Sequence, residues 1–266
     1  MSGGRSRWVF VVLLAVGCLV SACSASARAV SSFSSAGAAG GSSQSRTWSV
    51  VALGDSVPRG TNCGCTPYPS LTADGLARRA AQAVKAINDS VAGATTTSLL
   101  RQLDRSDVTT HLRTADAVEI EIGANDVGYS RSCGSRISCY RPRIPTIRTN
   151  LATIVARVRK LAAGHPVLIV LLDYWSVWLG GKYAAAHGNA YVTAAEQMTD
   201  EVNTVIKSTA AASGSAYVDL RAAFKGPSYT YDETHYLSND GDHPNTAGHK
   251  KIATATQAVI EKALHL

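Results

Sequence analysis

From residue 47 onward, short β-branched apolar runs alternate with longer stretches in which apolar residues recur every three or four positions. The runs at 48–53 (WSVVAL), 84–88, 117–122 (AVEIEI), 166–172 (PVLIVLL) and 216–220 predict five strands. The run at 166–172 is apolar throughout, the pattern of a parallel strand covered on both faces. In 117–122, Glu119 and Glu121 fall on one face, so that face is expected to be wet or partnered. Helical spacing appears at 68–86 through Leu71, Leu76, Ala80 and Ala83, with a strand reading overlapping its end. It appears again at 95–104, and at 146–163 through Ile147, Leu151, Ile154, Val158 and Leu161. Residues 190–212 read as a long helix, and 245–264 as a last one with Ile252, Ala255, Val259 and Ala263 inward. Between the fifth strand and Pro244 the chain reads as a polar loop. Strands alternating with helices predict a three-layer α/β/α sandwich on a mainly parallel five-stranded sheet. Ligands of such sheets bind at the carboxyl ends of the strands.

The first 46 residues follow neither pattern. Arg5 and Arg7 precede an apolar run at 8–20, too short for a membrane span and flanked by small residues, so 1–22 reads as a signal peptide. Val20-Ser21-Ala22-Cys23 resembles a bacterial lipobox, which implies cleavage before Cys23 and a lipid on its thiol. Ordinary cleavage after Ala27 is the alternative. Residues 23–46 are mostly Ser, Ala and Gly and read as a flexible tether. The catalytic domain is then 47–266, at a cell surface or released from it.

Composition adds little beyond this. A chain with 45% hydrophobic and 17% charged residues is globular, and its net charge of +7 lies partly at the two ends. No zinc-finger spacing, RNA-recognition pattern or basic–aromatic interleave points to nucleic acid. Nothing calls for a cofactor, and zinc, the rival to disulfides at the cysteines, is disfavoured because Cys-x-Cys with a distant Cys-x5-Cys is poor zinc spacing. Four cysteines follow Cys23, an even number that suits disulfides in an exported chain. Cys133 with Cys139 is the favoured pair. Cys63 and Cys65 either pair across Gly64 or remain thiols.

Three polar motifs follow predicted strands: Gly54-Asp55-Ser56-Val57, Gly123-Ala124-Asn125-Asp126, and Asp240-Gly241-Asp242-His243-Pro244. Each alone is ordinary turn chemistry. Together they supply a hydroxyl, an amide donor and a carboxylate–imidazole pair at one sheet edge. A serine needs a base to become a nucleophile, and histidine is the natural base near neutral pH. Asp240 stands three residues from His243. Asp242 is a rival carboxylate, and Asp232 with His235 forms a decoy of the same spacing but without a following proline or helix. The remaining histidines read as surface or packing residues.

In these blocks the chain resembles the SGNH (GDSL) hydrolase family, of the bacterial secreted esterase or lipase type, over 47–266. The resemblance implies a flavodoxin-like sheet and cleavage of carboxylic esters. It makes Ser56 the nucleophile and Asp240 and His243 its dyad. The oxyanion hole would be the amides of Ser56 and Gly93 with the Asn125 side chain. Gly93 has another reading, as a glycine needed for positive φ before a helix. Tyr174, Trp175 and Trp178, after the fourth strand, either line a substrate pocket or cover the sheet edge. The expected partner is a small-molecule or lipid ester. An acetylated polysaccharide is the alternative, and a non-catalytic, lipid-anchored binding protein is the reading of another class. Membrane contact would come only through the anchor at Cys23.

Overall fold

The computed structural model describes residues 46–266. The signal peptide, Cys23 and all of the tether but Arg46 lie outside the described residues. The strands are β1 (Trp48–Gly54), β2 (Val84–Asn88), β3 (Ala117–Glu121), β4 (Leu168–Leu172) and β5 (Ala216–Val218). They form one sheet in the order β2-β1-β3-β4-β5, with every pairing parallel. This is the flavodoxin-like order, whose direction reverses between β1 and β3, and ligands of such sheets sit outside that switch point.

The helices are α1 (Ser56–Arg59), α2 (Tyr68–Ala80), α3 (Thr96–Gln102), α4 (Ser106–Arg113), α5 (Ile144–Leu161), α6 (Gly181–Ala185), α7 (Asn189–Ser213), α8 (Leu220–Lys225) and α9 (Thr246–Leu264). On one side of the sheet α2 packs with α9, and on the other α5 packs with α7 and α3. The α5 stripe of Ile147, Leu151, Ile154 and Val158 is buried, as its spacing requires. Asn245 caps α9 by accepting from the N–H groups of Ala247 and Gly248.

The departures from the sequence reading lie in short elements. The helix expected over 68–86 stops at Ala80, because Ala81 turns left-handed and frees the chain to enter β2. The strand expected to reach Leu220 ends at Val218, where Asp219 caps α8 through the Ala222 N–H. The polar loop before Pro244 therefore contains a helix. Helices α4 and α6 were not expected either; α4 buries only Val108 and Leu112 and α6 only Ala184, too few apolar positions to mark a stripe.

Glu119 and Glu121 are neither wet nor partnered. Both are wholly buried beneath α2, with only the Thr72 and Tyr68 hydroxyls facing them and no well-formed hydrogen bond. Burial holds both carboxyls well above the usual range, with Asp55 adding to the shift at Glu121 and the Thr72 and Tyr68 hydroxyls offsetting part of it. Such a group keeps its proton in the folded chain after the unfolded chain has lost it. Its contribution to stability is therefore intact below a pH of about 4 and falls as pH rises. We expect Glu119→Met to raise Tm at alkaline pH by several degrees, following roughly 1–3 kcal/mol gained by removing the cost of holding a buried carboxyl protonated above its ordinary pKa. The gain should shrink toward a pH of about 4. Thermal melts of both proteins across pH check this.

Candidate active site

Ser56 is placed by a contact that only glycine permits. Gly54, the last residue of β1, has φ +150°, and a Cβ there would lie 2.1 Å from the Glu121 carbonyl oxygen of β3. The chain then turns into α1 with Ser56 as its first residue. Asp55 caps that turn, accepting from the Val57 N–H at 3.0 Å and from the Tyr174 hydroxyl at 2.6 Å. Asp55 is buried, and burial raises its pKa to about 6 against the pull of these two donors. Asp55 and Ser56 both line the strand-end cavity, Asp55 with its carboxylate already engaged.

Asn125 is placed by the neighbouring strand. Gly123, at φ +135°, starts the 3-10 turn Ala124–Val127 just beyond β3. Asp126 then ties this turn to the start of α3, accepting from the Thr96 hydroxyl at 2.6 Å and its N–H at 2.8 Å. Asn125 Nδ2 donates to the Ala94 carbonyl at 3.0 Å. An amide nitrogen carries two hydrogens, so one remains for a ligand.

The third motif is held as a pinched loop. Leu237 bridges Pro244, and the Ser238 N–H donates to the His243 carbonyl at 2.8 Å. Within it, His243 Nδ1 lies 2.7 Å from Asp240 Oδ2 and 4.0 Å from Asp242 Oδ2. The geometry therefore selects Asp240 over its neighbour. Asp240 Oδ1 also accepts the N–H groups of Asp242 and His243, both at 3.0 Å. Burial pushes this carboxyl up, but the Asn62 amide, these two N–H groups and the imidazole outweigh it and hold the pKa at about 2. A charged Asp240 keeps the proton on Nδ1 and leaves Nε2 free to accept one. The decoy is not assembled: Asp232 bonds the N–H and hydroxyl of Thr234, and His235 lies against the Tyr236 ring.

Ser56, Asn125 and His243 line one cavity of about 310 Å³. Tyr174, Trp175 and Trp178 line it too, but all three are buried and already engaged. Tyr174 holds Asp55, and Trp178 Nε1 donates to the Val127 carbonyl at 2.8 Å. Trp175 stacks on Phe224 with centroids 4.3 Å apart. They are wall and sheet-edge cover at once. Gly93 does not line the cavity; it is exposed at φ +75°, one residue before the carbonyl that Asn125 grips. The sequence reading missed Tyr129, His187 and Tyr191, which line the same space as an aromatic cluster. A second cavity of about 430 Å³ shares the Trp175, Ser176 and Leu179 wall.

The favoured pair Cys133–Cys139 is bonded, with Cα–Cα 5.9 Å, and of the two readings left open for Cys63 and Cys65 the structure has the disulfide, with Cα–Cα 5.1 Å. Cys63, Cys65 and His249 cluster within 4.8 Å, but the sulfurs are bonded to each other.

Residues 52–251 match the GDSL-like lipase/acylhydrolase family. The chain belongs to that family. No curated protein matches it in sequence. Among solved structures, it is similar to a lipase from a goat rumen metagenome, with TM-score 0.63 and 18% identity over 80% of this chain and 97% of the other. It is also similar to the lipase/acylhydrolase from Enterococcus faecalis, with TM-score 0.57 and 19% identity over 82% and 97%. A variant of the acetyl xylan esterase Axe2 from Geobacillus stearothermophilus gives TM-score 0.58 and 22% identity over 80% and 94%. At these identities the likeness concerns the fold. Family membership makes this GDSL-like chain a carboxylic ester hydrolase.

Proposed function

We propose that the protein hydrolyses carboxylic esters of short acyl groups through a Ser56–His243–Asp240 triad. The observation that carries this reading is the shared cavity: serine, imidazole and the Asn125 amide open onto one space at the β1/β3 switch point. His243 Nε2 takes the Ser56 proton as Oγ attacks the acyl carbon, and Asp240 steadies the imidazolium. The tetrahedral oxyanion is met by the Ser56 N–H and the free Asn125 N–H, with Gly93 added on the family resemblance alone. The intermediate collapses as the C–O bond to the alcohol breaks and His243 returns the proton to the leaving oxygen. Water then attacks the acyl-enzyme by the same route and releases the acid.

A cavity of about 310 Å³ is at the small end for ligand sites, which favours a short acyl group over a long chain. A second reading, removal of acetyl groups from polysaccharide, is favoured by the aromatic cluster, whose Tyr129 is 41% exposed and can offer a ring face to a sugar. We also propose export by the segment 1–22 and anchoring through Cys23. A panel of p-nitrophenyl esters from acetyl to palmitoyl, run beside acetylated xylan, tests the reading. Activity should peak at the short esters; a preference for palmitoyl contradicts the short-acyl reading, and inertness toward every ester contradicts hydrolysis.

Asn125→Ala should lower kcat on the best of these esters by about 10²–10³ while leaving KM within a few-fold, the cost of one oxyanion donor. Steady-state kinetics at saturating ester check this.

A further inference from the structure

Asn62 belongs to none of the motifs read from the sequence. Its side-chain amide donates to Asp240 Oδ2 at 2.6 Å, the same oxygen that His243 Nδ1 meets at 2.7 Å. The other donors to this carboxylate come from its own loop, the N–H groups of Asp242 and His243. Asn62 comes from 178 residues away, on the loop that leaves Ser56. It therefore ties the two halves of the triad to each other.

The loop is built to hold that amide. The Thr61 N–H donates to the Ser56 carbonyl at 3.0 Å, and Asn62 follows at φ 58°, a left-handed conformation that asparagine tolerates. Ser238 Oγ donates to the Asn62 carbonyl at 3.2 Å, a second bond between the same two loops. The next residue is Cys63, and its disulfide to Cys65 closes the chain on itself. The two sulfurs sit beside His249 of α9, whose Nδ1 accepts the Tyr68 N–H of α2 at 3.2 Å. The disulfide thus rests on the fixed α2–α9 contact.

We propose that Asn62 is a positioning residue that holds the Asp240 carboxylate in line with His243, and that the Cys63–Cys65 disulfide holds Asn62 in place. The proposal rests on the Asp240–His243 reading above. Without the amide the carboxylate is held less firmly, and Oδ2, having lost one of its two side-chain donors, bears with more of its charge on the imidazole it still meets. The imidazolium then persists to higher pH, so the acid limb of kcat/KM moves upward. The other titratable groups facing His243 are Asp242, Asp55 and His249, and the substitution leaves all three in place.

The test compares Asn62→Ala, Asn62→Asp, the double variant C63S/C65S and the triple variant combining it with N62A. Each is assayed on p-nitrophenyl acetate across pH, with Tm recorded. Asn62→Ala should lose roughly 10–100-fold in kcat, the scale of a small misplacement at the reacting groups. Its KM should stay within about two-fold, since the removed bond does not touch substrate. Its acid limb should move to higher pH. Asn62→Asp keeps the size and tolerates the left-handed backbone but puts a second carboxylate against Asp240, so it should move the limb further. It serves as the second reading if the alanine variant folds poorly. C63S/C65S should lose less than N62A, and the triple variant should be no slower than N62A alone, because the disulfide acts through the asparagine. An unchanged kcat and pH profile in both Asn62 variants overturns the proposal, as does a loss confined to KM. Multiplying losses in the triple variant overturn the role given to the disulfide. If His243→Ala retains activity, the dyad itself fails; if it is inactive while both Asn62 variants are silent, only this proposal fails.

Discussion

Ser56→Ala is expected to lower kcat by on the order of 10⁴–10⁶ on every ester the native protein cleaves, with Tm changed by no more than about 2 °C. The size follows from the chemistry. Without Oγ no acyl-enzyme forms, and only binding and the oxyanion donors remain to assist water. The small stability change follows from the place of the side chain. Ser56 is half-buried at the first position of α1, and no side-chain bond of its own secures that turn. The Asp55 carboxylate does, through the Val57 N–H and Tyr174 hydroxyl. Kinetics with p-nitrophenyl acetate and a thermal melt of each protein give both numbers.

The second large effect separates two histidines that sequence spacing alone treats alike. His243→Ala should lose on the order of 10⁴–10⁶ in kcat, since it removes the base and the donor to the leaving alcohol together. His235→Ala should stay within about three-fold, as expected of a surface change away from such features. The structure gives His243 a carboxylate at 2.7 Å and a place on the Ser56 cavity. His235 is exposed, and the carboxylate three residues before it is turned to Thr234. The reverse result, an active His243→Ala beside an inactive His235→Ala, would falsify the assignment of the base.

What the sequence made readable follows from where its signals are local. The five strands are runs of apolar residues with turn chemistry at their ends, so their places along the chain and the sandwich could be read directly, while the order of strands in the sheet came only with the family resemblance. The first two motifs could be read because each lies at or just beyond a strand end, where parallel sheets gather their ligands; the third lies past α8, well beyond β5, and could be read only from its carboxylate–imidazole spacing. Period-two spacing failed at Glu119 and Glu121. It tells which residues share a face, but not whether a helix covers that face, and α2 does. Helices α4, α6 and α8 escaped because each buries so few apolar residues: Val108 and Leu112 in α4, Ala184 in α6, Leu220 and Phe224 in α8. Asn62 escaped for a different reason. A single asparagine before a cysteine has no pattern, and its partner lies 178 residues away. Tyr129 and Tyr191 were passed over, and His187 was read as a surface or packing residue. Those three meet only when the turn after β3 and the start of α7 are brought together by the fold. Gly93 was drawn from family resemblance, and it is exposed and not among the residues that line the cavity.

The account stands on Ser56 being an activated nucleophile. A fluorophosphonate probe reacts with such a serine and leaves a phosphonyl group that peptide mass spectrometry can locate. Labelling should fall on the peptide containing Gly54-Asp55-Ser56, stop the hydrolysis of p-nitrophenyl acetate in proportion, and vanish in both Ser56→Ala and His243→Ala. A label on any other residue, or full ester hydrolysis by a protein that takes no label, contradicts it.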